Sequence, residues 1–94
     1  MLFSKKLSVK PYSEYIIKFL NIKNNEILTN TDDSFSCKIR IENRGITINL
    51  TNVNRGSIML DVIDAYAIIR IPREKFNKID EFKEYCLNRL YILK

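Results

Sequence analysis

A change of hydrophobic period along the chain predicts an α+β fold. It is a small antiparallel β-meander of three or four strands between an N-terminal and a C-terminal helix, in the order α-β-β-β(-β)-α. Three observations carry this. Near both ends apolar residues recur every three or four positions, as a helix buried on one side requires. From Phe35 to Leu50 they alternate with polar residues, as in half-buried strands. The two glycines each close an Asn-Arg-Gly tripeptide, Asn43-Arg44-Gly45 and Asn54-Arg55-Gly56, and glycine's tolerance of positive φ makes both tripeptides turns.

The first helix is expected over residues 8–23. Ser8 suits its cap and Pro11 its first turn, with Ser13 as a later alternative cap. Tyr12, Tyr15, Ile16, Phe19 and Leu20 form its apolar stripe. Residues 24–34, with Asn24, Asn25, Asn30, Asp32 and Asp33, read as a polar connector from which Ile27 and Leu28 reach toward the core.

From Phe35 the period is two. Phe35, Cys37, Ile39 and Ile41 take one side; Ser36, Lys38, Arg40 and Glu42 take the other. Beyond the first turn Ile46, Ile48 and Leu50 alternate with Thr47, Asn49 and Thr51. A loop from Glu42 to Gly45 keeps every apolar residue on one face by pairing Ile41 with Ile46 and Ile39 with Ile48, whereas a loop one residue shorter sets Lys38 and Arg40 opposite isoleucines. The same parity argument pairs Leu50 with Ile58, Ile48 with Leu60 and Ile46 with Val62.

Residues 58–71 differ, because both parities are apolar. Ile58, Leu60 and Val62 oppose Met59 and Ile63, and beyond Asp64 the side chains of Tyr66 and Ile68 oppose Ala67, Ile69 and Ile71. The stretch is one strand or two, with Asp64-Ala65 a tight turn or a bulge. It is either covered on both faces or keeps an apolar patch for a partner. Pro72 ends it, and residues 73–76 read as a helical turn. The last helix is expected from Asn77 or Lys78 to Tyr91. Asn77 is its cap, Asp80 and Glu81 suit its first turn, and Ile79, Phe82, Cys86, Leu90 and Leu93 make its stripe.

The 94 residues leave room for one core, so residues 1–94 read as a single domain. No run reaches the roughly 18 apolar residues of a membrane span. The first residues place apolar side chains ahead of lysines, the reverse of a signal peptide. A cytoplasmic protein is expected. Cys37 and Cys86 are too far apart for a metal or redox motif, and both fall on apolar faces as buried free thiols.

The chain has no histidine, which removes Ser-His and Cys-His nucleophiles and the commonest metal ligand. The glycines are committed to turns, leaving no phosphate-cradling loop. Asp61 or Asp64 followed by Glu81-Phe82-Lys83 resembles a metal-nuclease triplet, but on a helix Glu81 and Lys83 project about 200° apart and Phe82 is a core position. Asp32 and Asp33 read as turn and cap residues rather than cation ligands. No enzyme, metal site or cofactor is expected.

Sixteen Lys and Arg against eleven Asp and Glu give a net charge of +5. The bases gather at Lys5, Lys6 and Lys10, at Lys38, Arg40 and Arg70, and around Arg73, Lys75 and Lys78. Arg44 and Arg55, in successive turns, fall at opposite ends of the sheet. If both helices cover one face, Met59, Ile63, Tyr66 and Ile68 stay exposed beside a basic rim of Lys38, Arg40 and Arg70. That composition suits an interface. The expected function is a small non-catalytic protein-binding module, an intracellular inhibitor or immunity-type protein that occludes a partner with an acidic surface. The alternatives are a nucleic-acid-binding regulator using the basic sheet face beside Tyr66, and a homo-oligomer pairing through residues 58–71.

Overall fold

The computed structural model describes residues 6–94; the apolar-then-basic start of the chain, including Lys5, lies outside the described residues. The fold is α+β. An N-terminal helix α1 (Lys10–Leu20) precedes a five-stranded antiparallel sheet, and a C-terminal helix α2 (Ile79–Tyr85) follows it. The strands are β1 (Ile27–Asn30), β2 (Ser34–Ile41), β3 (Arg44–Val53), β4 (Ser57–Asp64) and β5 (Glu74–Phe76), and they neighbour one another in chain order.

The first helix contains its whole apolar stripe but is shorter at both ends than the expected span of residues 8–23. Val9 is its cap residue and is fully buried, while the Ser8 hydroxyl accepts from Lys10 N–H at 3.2 Å. Ser13 sits inside the helix and donates back to the Lys10 carbonyl. Asn21 ends the helix at φ 54°, its N–H closing onto the Ile17 and Lys18 carbonyls. Left-handed backbone is unfavourable for most side chains but tolerated by asparagine, so the stop is local chemistry.

Two strands lie where other structure was expected. β1 occupies the presumed polar connector, with Ile27 opposite Cys37 and Asn30 opposite Phe35. Ile27 packs on the core, while Leu28 is 64% exposed. Within the connector, Asp32 and Asp33 hold the N-terminal segment. Asp32 accepts from Val9 N–H through its carbonyl and from Ser8 through its carboxylate, and Asp33 pairs with Lys6 at 2.8 Å. Residues 74–76, read as part of a helical turn, instead form β5 along Ile58–Leu60 of β4.

The faces of β2, β3 and β4 fall as parity requires, but both registers are shifted by two residues. Ile39 pairs with Ile46 and Cys37 with Ile48; Leu50 pairs with Leu60 and Ile48 with Val62. The cause is the turns. Ile41 pairs with Arg44, so the first loop is only Glu42-Asn43, with both residues at positive φ (50° and 67°). That is the two-residue turn whose twist matches a hairpin. In the second turn Asn54 and Arg55 take positive φ, and neither glycine does. The tripeptides therefore mark turns, but asparagine and its neighbours supply the conformation assigned to glycine. Gly45 serves packing instead: a Cβ there would lie 2.7 Å from Cε of Lys38, whose stem crosses the glycine from the adjacent strand.

Both helices pack on one side of the sheet. Phe35, Cys37, Ile46, Ile48, Leu50, Ile58 and Leu60 meet Val9, Tyr12 and Ile16 of the N-terminal region and Phe82 of α2, all at most 2% exposed. The Phe82 ring lies edge-on to Tyr12 and Phe76 with centroids 5.1 and 5.3 Å apart. Beyond α2 the chain continues through a π-turn (Cys86–Leu90) and a final 3₁₀ turn (Tyr91–Leu93) that keep Cys86, Leu90 and Leu93 buried on the predicted stripe.

Candidate functional site

The uncovered sheet face is built by the residues that alternate with the core. Pairing across β2, β3 and β4 puts Lys38, Thr47 and Ile63 in one row, Ser36, Asn49 and Asp61 in the next, and Ser34, Thr51 and Met59 in a third, which Lys75 of β5 extends. Arg40 lies opposite Gly45 at one end. Lys38 and Arg40 are exposed, Met59 is half-buried and Ile63 is 47% exposed. The predicted residues of the strands thus share one face. Its basic character is interrupted by Asp61, which pairs with Arg73 at 3.6 Å.

Tyr66, Ile68 and Arg70 leave the sheet. β4 stops at Asp64, and residues 65–73 form a loop before β5. One side chain organises its first half. Asp64 accepts hydrogen bonds from the backbone N–H groups of Tyr66, Ile68 and Ile69 at 3.0, 3.1 and 2.9 Å, and its carbonyl accepts from Ala67 N–H. Its carboxylate is enclosed, with Nε of Arg44 3.7 Å away. These donors, Ile69 N–H foremost, hold the Asp64 carboxyl below its ordinary value, aided by the charge of Arg44. Asp64-Ala65 therefore begins a tight turn, with Ala67 at φ 55°.

The loop leaves Tyr66 68% and Ile68 65% exposed, although their own N–H groups are tied down. Arg70 points elsewhere. With Val62, Ile63, Ile69 and Ile71 it lines an open cleft of about 410 Å³, and Arg89 from the π-turn after α2 lines the same cleft. Ile63 joins the two regions, lying on the open sheet face and on the cleft wall.

No protein-family model, curated protein or solved structure matches this chain. The chemistry of the site therefore has to be read from its own side chains. Burial pushes the thiols of Cys37 and Cys86 up to about 12, so both are protonated and unreactive at neutral pH. Glu81 and Lys83 lie on α2 on either side of buried Phe82, away from any acid-Glu-Lys arrangement on a strand. Among the described residues, no group of three or more Cys, Asp or Glu is placed to hold a metal ion, and no helix is long and apolar enough to cross a membrane.

Asp64 and Arg89 are the residues sequence reasoning missed as parts of the site. Asp64 carried a signal, since an aspartate followed two residues later by a free N–H is a common turn initiator. Nothing local in the sequence links Arg89 to Arg70.

Proposed function

We propose that this chain is a cytoplasmic, non-catalytic protein-binding module of the inhibitor or immunity type, occluding a partner protein that presents an acidic surface. One observation carries the reading. Two large apolar side chains, Tyr66 and Ile68, project into solvent from a backbone fixed by the Asp64 carboxylate. An ordered loop needs little further ordering to bind, and that saved entropy is what makes an exposed aromatic an effective anchor. Folding alone gives no reason to expose these side chains. In this reading Ile63 and Met59 on the open sheet face belong to the same interface, and Lys38 and Arg40 are its charged rim, which favours an acidic partner.

The test is capture from native-host lysate with nuclease treatment, using the wild type and Tyr66→Ala combined with Ile68→Ser. The wild type is expected to retain one stoichiometric protein. The double variant should keep its fold and lose affinity by at least about thirtyfold, the equivalent of one hot spot. Unfolding of the variant would put these side chains in the core and end the proposal. Recovery of nucleic acid alone, released by salt, would replace it with the regulator reading; recovery of only the chain itself would favour a homo-oligomer.

A further inference from the structure

The cleft beside β4 has a character of its own. β5 pairs only with Ile58–Leu60, so Val62 and Ile63 lie beyond the paired segment and form one wall. Ile69 and Ile71 form the other. Arg70 follows a fixed backbone, and Arg89 rests on an aromatic ring. Arg70 is flanked by Ile69, whose N–H is bound to Asp64, and by Ile71, which is 8% exposed. Arg89 lies over the Tyr85 ring, 5.9 Å from its centroid, and Tyr85 Oη donates to the Pro72 carbonyl at the far end of the loop. Among the described residues, neither Arg70 nor Arg89 has an acidic partner within ion-pair distance. The one acid lining the cleft, Asp64, is already occupied by three N–H donors.

We infer that this cleft receives an acidic peptide segment of the partner protein, with a carboxylate side chain between Arg70 and Arg89 and an adjacent apolar side chain against Ile63, Ile69 and Ile71. Two unpaired guanidinium groups call for an anion, and the apolar walls call for a ligand that is more than one. A carboxylate flanked by an aliphatic side chain meets both demands, and Arg recognises carboxylates with directional hydrogen bonds. The inference deepens the binding-module reading by naming the partner's chemistry, and it rests on that reading.

The test uses the ¹⁵N-labelled full chain and a capped peptide of alternating valine and glutamate, its glutamine counterpart, and sodium acetate. The glutamate peptide should shift the amides of Ala67, Ile69, Arg70 and Ile71 at millimolar concentration or below, and the glutamine peptide should not. Arg70→Gln and Arg89→Gln should each weaken binding about tenfold, with Arg→Lys intermediate and all spectra unchanged far from the cleft. Equal shifts from both peptides, no shifts, or acetate alone matching the glutamate peptide would each overturn the inference. The peptide titration involves no partner protein and the lysate capture no added peptide, so a failed peptide experiment and a failed partner capture are read separately.

Discussion

The two faces of the sheet come from the same strands, offset by one residue, and they obey different rules. On the covered face β2, β3 and β4 all contribute aliphatic or aromatic side chains, from Phe35 through Ile48 to Leu60, and the helices seal them. On the open face the composition changes from strand to strand. β2 and β3 offer Ser36, Lys38, Thr47 and Asn49, whereas β4 offers Met59, Asp61 and Ile63. A sheet with one solvated face normally keeps that face polar. The apolar residues of β4 and of the loop beyond it are therefore where folding requirements stop explaining the sequence. In the proposed function they are the residues that meet the partner.

The largest test of this contrast is in the covered layer. Phe82 is fully buried and in edge contact with Tyr12, Tyr15 and Phe76. Phe82→Ala is expected to cost about 3–5 kcal/mol, a large share of the roughly 5–15 kcal/mol typical of a domain. Ile63→Ser, an apolar deletion at a side chain about half exposed on the open face, should cost only about 1 kcal/mol. Urea denaturation of both variants gives the comparison directly. Similar losses would mean that the open face is also structural, and the contrast would collapse.

The next effect is confined to the boundary between sheet and loop. Asp64 has its carboxyl depressed by the N–H donors of residues 66, 68 and 69. The sign follows from linkage. The order it supplies is complete above the ordinary aspartate value of about 3.9 and is lost as pH falls through its lower folded value. Acid should therefore loosen residues 66–69 by removing the acceptor that holds them. An NMR titration should show the Ile69 amide moving with an inflection below about pH 3.9, and Asp64→Asn should abolish that inflection. Titration at the ordinary aspartate value would show that the donors do not hold the carboxylate.

Much of this arrangement was legible in the sequence. Alternation decided which side chains of β2, β3 and β4 face the core, because a one-residue slip inverts every side chain. Register was not decided, because a shift of two residues preserves the faces. β1 escaped notice because Ile27 is its only core-packed residue in a polar stretch. β5 escaped because three residues, Glu74 to Phe76, carry too little pattern to reveal a strand that exists by pairing with β4. The open-face residues Lys38, Arg40, Met59 and Ile63 followed from the same alternation. The cleft did not, since only tertiary packing brings Arg70 and Arg89 to the same cleft.

The smallest effect separates the two accounts of the hairpin turns. If Gly45 supplied a positive φ, Gly45→Ala would cost about 1 kcal/mol or more. In the structure Gly45 has no such φ, and an added methyl group meets only the end of the flexible Lys38 stem. The alanine variant should therefore lose only a few tenths of a kcal/mol. Glu42→Asn with Asn43→Gly places the preferred residues at the two positions that do have positive φ, and should raise stability by about 1 kcal/mol. Thermal denaturation of the two variants reads both signs. A costly alanine with no gain from the Asn-Gly pair would return the turn to residues 42–45 and restore the register in which Ile41 faces Ile46. Because that register differs by two residues, the faces of the sheet would remain as they are, and the contrast between them would stand whichever turn is correct.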